Sequence, residues 1–400
     1  MLARLSGSPT LQLLLATLCG ALLGVLDPAL AVNMKPLSDA FIRLIGWLMP
    51  LMMFLLTAAG MAGLALRQRG LAGKVLVCFQ GLAVLSLGLG CVVAELAQPG
   101  AGTVALAQPS LALKPAGFTW SGTTVLLSQA LLHNPILQIM LAGLATGALI
   151  NLTCARRLHA LLERATALTF RGLRMLLRLT PLAAFGAMAY TLGKFGPTSM
   201  LPLLEFLGVM YLACAAFILL ILAPAAQASG TSLWALIRHV KAELALVTFT
   251  GSSVAALAGL VEKLQALGCD RAVVRLVLTT GYSFNLCGSN LYLIIAVLFL
   301  AQMAGIELTA TDLLTLLVVA LMTSLGSTSM AGSAFFTLLV TLNLLHIVPA
   351  DNAALLLGVE RLMKCRVLTN VLGNCVACLA IARWQHAAQP ATRRDESVPS

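Results

Sequence analysis

Near the C-terminal end of the chain, Arg366, Asn370 and Asn374 recur at i, i+4 and i+8, the spacing that puts side chains on one face of a helix. The flanking residues are apolar, so this stripe carries a guanidinium and two amides to membrane depth. A charge there costs about 2.5–3.5 kcal/mol on insertion scales, so Arg366 must face protein or water. Two roles are open for the stripe: a polar seam bonded to neighbouring helices, or a site for an anion. A guanidinium offers two parallel N–H donors to a carboxylate, which suits the second role. Just upstream lie Glu360, Arg361 and Lys364. Glu360, four residues before Lys364, either neutralises it along a helix or relays a proton.

Three further polar clusters interrupt apolar sequence. The stretch 232–268 has two apolar halves, each too short to cross a bilayer, around Thr250-Gly251-Ser252-Ser253. The stretch 313–346 repeats that design around Ser324 to Ser333. Short helices joined by a small polar tip read as re-entrant hairpins, whose irregular backbone is tolerated at membrane depth only where it is buried in protein or lines a cavity. Two ordinary helical pairs with polar turns would look similar. The third cluster, Ser283-Phe284-Asn285-Leu286-Cys287-Gly288-Ser289-Asn290, lies in the middle of an otherwise apolar span. It predicts an unwound turn whose freed carbonyls suit a cation. Paired interrupted segments of this kind point to a transporter's binding site.

The elements that must position these groups are membrane helices. Apolar residues make up 60% of the 400 and charged residues only 10%, against about 25% charged in a soluble domain. Roughly twenty apolar residues cross a bilayer core. Full spans are expected at 10–31, 40–66, 75–97, 123–150, 165–193, 200–225, 270–301 and 352–383, with a polar tail over 387–400. The fold class is therefore all-α and polytopic, with eight transmembrane helices plus two re-entrant hairpins in one membrane-embedded domain, 1–386. The net charge of +11 does not imply nucleic acid, because the basic residues are dispersed. Arg67, Arg69 and Lys74, then Arg156 and Arg157, then Arg238 and Lys241, then Lys263, Arg271 and Arg275 fall in alternate loops. Lys/Arg-rich loops stay cytoplasmic, so both termini are expected inside. The ten cysteines are scattered without metal-ligand spacing and read as free buried thiols. Arg171, Arg174 and Arg178 share a helical face and read as snorkelling toward lipid headgroups. Pro50 and Pro181 read as kinks within spans. No nucleophile–base pair, cofactor motif or histidine cluster appears, which argues against an enzyme.

Over nearly its whole length the chain resembles the dicarboxylate/amino acid:cation symporter family, and among its members the bacterial C4-dicarboxylate carriers most. The likeness rests on Met34-Lys35-Pro36-Leu37, Gln98-Pro99-Gly100-Ala101-Gly102, Ala184-Phe185-Gly186-Ala187-Met188-Ala189, Thr280 to Leu286 and Arg366 to Asn374. The resemblance implies a glutamate-transporter-like fold and a homotrimer. It implies a static scaffold over about 1–70 and 120–195 and a moving transport part over about 71–119 and 196–386. It assigns substrate contacts to Ser252, Ser253, Ser289, Ala331, Gly332, Arg366 and Asn370. One cation set falls on Gly281, Asn285, Asn370 and Asn374, and a second on Ser283, Ser324, Leu325 and Ser327. Sodium or a proton is the coupling ion.

The departures from the family are specific. Cys287 stands where the family motif Asn-x-Asp-Gly has Asp. Cys78, Ala83 and Val84 stand where other members place the Tyr and Thr/Ser that help that Asp bind a further cation. Thiols and alkyl groups supply none of the hard oxygens sodium prefers, so that further site is expected to be absent. The interval from Glu360 to Arg366 is one residue shorter than in relatives, which on a continuous helix turns the upstream charges by about 100°. The resulting expectation is a secondary symporter in a bacterial inner membrane, importing a small carboxylate, C4-dicarboxylates first, by alternating access. The alternative is a transport-deficient paralogue that senses the same substrate.

Overall fold

The computed structural model describes residues 9–63, 69–101, 135–153, 155–196, 200–251, 253–324, 333–345, 347–360 and 362–388. Among these, every regular element is helical, as apolar backbone in lipid requires unless it closes a barrel. In chain order the principal helices are α1 (Pro9–Leu26), α2 (Lys35–Gly63), α3 (Arg69–Ala97), α4 (Pro135–Leu152), α5 (Arg156–Leu176), α6 (Thr180–Phe195) and α7 (Met200–Phe217). They are followed by α8 (Lys241–Thr250), α9 (Leu257–Ala266), α10 (Arg271–Phe284), α11 (Cys287–Met303), α12 (Ala310–Ser324), α13 (Ser333–Leu345) and α14 (Lys364–Ala388). Among the described residues, four helical stretches are long and apolar enough to cross a membrane: Gly73–Ala97, Leu201–Ala228, Val273–Met303 and Lys364–Gln385.

Two packing groups emerge. In the first, α1 lies along α6, and α2 packs on α4, α5 and α6. Small residues let the backbones meet: a Cβ on Gly20 or Gly24 would strike the main chain or Leu192 side chain of α6, and one on Gly143 or Gly147 would strike α2. Both pairs have the Gly-x-x-x-Gly spacing that favours close helix contact in lipid. Asn151 of α4 donates to the carbonyls of Met61 and Ala62, satisfying acceptors that the end of α2 leaves open. Leu55, Ala58, Ala62, Ile150 and Leu162 form a small core of their own here.

The second group centres on α11, in which every residue but Gln302 is buried; a helix apolar all round belongs inside. It packs against α3, α7, α12, α13 and α14, with Phe206 of α7 against Tyr292 and Phe299 at ring distances of 6.3 and 4.9 Å. The outer faces of α3 and α7 instead present Val77, Val84, Leu204 and Leu212, an apolar surface suited to lipid. The stretches expected as hairpins each hold two helices, α8 and α9 in the first and α12 and α13 in the second. Gly251 ends α8 in the left-handed region at φ +66°, a conformation glycine adopts without steric cost. A turn at Ser253–Ala256 then leads back into α9. In the other unit α12 and α13 pack on each other, pinned by a buried hydroxyl contact of 2.8 Å between Thr323 and Thr341.

Several expectations need correction. The span expected at 165–193 is two helices, α5 and α6, separated by a 3-10 turn at Leu177–Leu179. Pro181 therefore opens α6 rather than kinking a span, at a position where its missing N–H costs nothing. Residues 123–134 of the preceding expected span lie outside the described residues. The last span is also interrupted. A 3-10 segment Ala350–Leu356 and a short helix Leu357–Glu360 precede a break, and α14 starts at Lys364. Glu360 and Lys364 thus do not share a continuous helix. The 100° rotation argument, which needs a continuous helix, does not apply. Glu360 pairs with Arg366.

Candidate functional site

Arg366 lies in the first turn of α14, with Asn370 and Asn374 one and two turns on; all three are buried. The break that precedes α14 is held from outside by the Tyr211 hydroxyl of α7, which donates to the Leu362 carbonyl at 2.8 Å. One guanidinium nitrogen, Nη2, donates to Glu360 Oε1 at 3.0 Å. The guanidinium stacks over the Tyr292 ring, 5.1 Å from its centre, a contact that strengthens when desolvated. Nη1 is buried and has no partner among the described residues, and the same holds for the Tyr292 hydroxyl. Unmet buried donors cost about 1–3 kcal/mol each, so a free guanidinium nitrogen beside a paired one marks where an acceptor belongs.

Asn370 serves a second helix. α11 begins at Cys287 with no side-chain cap from its own N-cap residue, Leu286, and the first N–H groups of a helix need acceptors. Asn370 Oδ1 accepts from the Gly288 N–H at 2.8 Å and the Ser289 N–H at 3.3 Å. Its Nδ2 donates to Ser289 Oγ at 3.1 Å. Gly288 allows this fit, since a Cβ there would collide with the Arg366 carbonyl. The predicted break between α10 and α11 is present at Asn285–Leu286.

Just below, Asn285 Nδ2 donates to Asn374 Oδ1 at 2.9 Å, and the Cys287 thiol donates to Asn285 Oδ1 at 3.2 Å. A Cβ on Gly281 would run into Asn374. The expected set Gly281, Asn285, Asn370 and Asn374 thus converges where α10, α11 and α14 meet. Of the other cation set, Ser283 is near the end of α10 and Ser324 ends α12, where its hydroxyl donates to the Leu321 carbonyl. Leu325 and Ser327 lie outside the described residues, as do Ser252, Ala331 and Gly332 of the expected substrate contacts. Ser253 is fully buried at the first tip, its hydroxyl without a partner among the described residues.

Two features escaped the sequence reading. Asn290 donates to Ser86 Oγ at 3.3 Å, tying α11 to α3; the polar Asn290 was a visible signal, its partner was not. Tyr292 gave no signal, being one aromatic in an apolar run. Val84, grouped with Cys78 and Ala83 from the sequence, is 55% exposed and points outward, whereas Ala83 is buried. Among the described residues the cysteines are free thiols, and no group of three or more His, Cys, Asp or Glu side chains is placed to hold a metal.

Comparison with known proteins agrees with this geometry. The model of the sodium:dicarboxylate symporter family matches residues 10–384. A C4-dicarboxylate transport protein of Xanthomonas campestris pv. campestris is 39% identical over 393 residues, covering 94% of this chain and 88% of that protein. C4-dicarboxylate transport protein 1 of Ralstonia nicotianae is 38% identical over 391 residues, covering 94% and 91%. A C4-dicarboxylate transport protein of Rhizobium leguminosarum bv. trifolii is 38% identical over 413 residues, covering 97% and 93%. With a match over nearly its entire length and relatives at this identity, the chain belongs to the sodium:dicarboxylate symporter family, a family of membrane transporters rather than enzymes.

Proposed function

We propose that the protein imports a C4-dicarboxylate with a cation, sodium or a proton, across a bacterial inner membrane by alternating access. The observation that carries this reading is the buried Arg366, with one guanidinium nitrogen engaged by Glu360 and the other open. Substrate would lie between that nitrogen, the first tip with Ser252 and Ser253, Ser289 and Asn370 at the start of α11, and Ala331 and Gly332 of the second tip. The coupling cation would sit below, on Asn285, Asn374, Gly281 and carbonyls released by the Asn285–Leu286 break, with Ser283, Ser324, Leu325 and Ser327 as a second set. No site forms around Cys287 in this reading. Its thiol already donates to Asn285 and offers a cation no hard oxygen.

The architecture proposed is eight spans plus two re-entrant hairpins, both termini cytoplasmic, assembled as a homotrimer. The division into a scaffold (about 1–70 and 120–195) and a transport part (about 71–119 and 196–386) is supported by the packing of α1, α2 and α4–α6 mainly on one another. Reconstitution into liposomes with labelled succinate, fumarate, malate and aspartate, under sodium or proton gradients, tests the proposal. Gradient-driven accumulation of the dicarboxylates is expected. Binding of these acids with no uptake under either gradient would overturn it in favour of a substrate sensor.

A further inference from the structure

Before any coupling cation is counted, the side-chain charge at the site does not balance a dianion if Arg366 acts alone. Glu360 lies 3.0 Å from Arg366 Nη2, and both side chains are buried, 4% and 7% exposed. The pair is therefore neutral as a unit. A substrate with two carboxylates would bring two negative charges to a place whose buried side chains supply no net positive one, and uncompensated charge in a desolvated site is costly.

A second cation stands close by. Lys364 is the first residue of α14, half-buried, two positions before Arg366. Its Nζ lies 3.6 Å from where a Cβ on Gly251 would stand, so the ammonium reaches the tip of the first hairpin. Ser253, two residues along that tip, holds its buried hydroxyl without a partner among the described residues, and the turn Ser253–Ala256 packs on α14. Residues two apart on a helix diverge by about 200°, so the two cationic groups leave the start of α14 in different directions. Arg366 goes over Tyr292 and Lys364 goes to the tip. Separated cations suit the two ends of a linear diacid, and a group with one carboxylate can engage only one of them.

Resting on the dicarboxylate reading above, we infer that Lys364 is a specificity-determining residue: with the first hairpin tip it receives the second carboxylate, and Arg366 receives the first. The test compares succinate with monomethyl succinate, which has a similar backbone but a single charge, by calorimetric binding to the purified full-length protein and to its K364M and K364R variants. The wild type is expected to prefer succinate. K364M should bind succinate roughly tenfold to a hundredfold more weakly, the scale of one hydrogen bond to a charged group, and keep its affinity for monomethyl succinate. K364R should restore the preference. K364Q, closer in polarity to Lys, repeats the measurement if K364M does not fold. Equal loss of both ligands in K364M would make Lys364 only a latch on the hairpin tip and overturn the inference, as would undiminished discrimination. A wild type that binds neither ligand would instead remove the dicarboxylate reading itself, and this assignment with it.

Discussion

The two halves of the site, a few helical turns apart on α14, are built in opposite ways. Around Arg366 the structure leaves donors open: guanidinium Nη1, the Tyr292 hydroxyl and the Ser253 hydroxyl have no partners among the described residues. Around Asn374 the amide oxygens are engaged, Asn374 Oδ1 by Asn285 and Asn285 Oδ1 by Cys287, and the one donor there without a partner among the described residues is Asn374 Nδ2. The first half is poised to gain an acceptor. In the second, Asn374 Oδ1 and Asn285 Oδ1 each accept one side-chain hydrogen bond, and an amide oxygen has a second lone pair to offer. On the proposed reading, the anion would fill unmet donors, and the cation would share oxygens that already serve a hydrogen bond.

Five substitutions test this contrast. The largest effect is expected for Arg366→Ala. Removing a buried charge whose partner remains costs about 2–5 kcal/mol, so dicarboxylate uptake into liposomes should fall by roughly 100-fold or more, with Glu360 left unpaired. Persistence of uptake would show that the anion binds elsewhere. Glu360→Gln should follow, destabilising the unliganded protein by about 3–5 kcal/mol through an uncompensated Arg366. In thermal melts, added dicarboxylate should recover part of that loss, because its carboxylate supplies the missing charge.

The two glycines separate the halves directly. Gly288→Ala pushes a methyl group against the Arg366 carbonyl, and Gly281→Ala pushes one against Asn374. Overpacking of this kind costs about 1–3 kcal/mol. Gly288→Ala should raise the KM for substrate with little change in cation dependence, and Gly281→Ala should do the reverse. Identical kinetic signatures would mean that the two halves act as one. The smallest effect is expected for Cys287→Val, which removes one hydrogen bond to Asn285, worth about 1 kcal/mol. Uptake measured against cation concentration should keep the same cooperativity. A lost cation-binding step would show that Cys287 takes part in ion coupling after all.

Much of the fold was legible because the signals are local. Apolar runs of span length, the Arg366/Asn370/Asn374 period and the Asn285–Leu286 break each follow from neighbours in sequence, since helix periodicity and the cost of a polar group in lipid act over a few turns. The extent of the last span was misjudged for the same reason. The residues around Leu362 carry no proline or glycine, and the break there is held by Tyr211 from another helix. Likewise Pro181 reads equally well as a kink or as a helix start until the turn at Leu177–Leu179 is seen.

What the sequence determined by itself was the class of molecule and the identity of its chemical groups: a helical membrane transporter with one arginine and several amides at depth. Tertiary structure decided their partners. Asn370 accepts from a helix N–H 82 residues before it, Asn290 reaches Ser86 across 204 residues, and Glu360 turns to Arg366 across the break before α14. Hydrogen bonds and ion pairs form within about 3 Å, and which groups come that close is fixed by how helices pack, a property no short window of sequence contains.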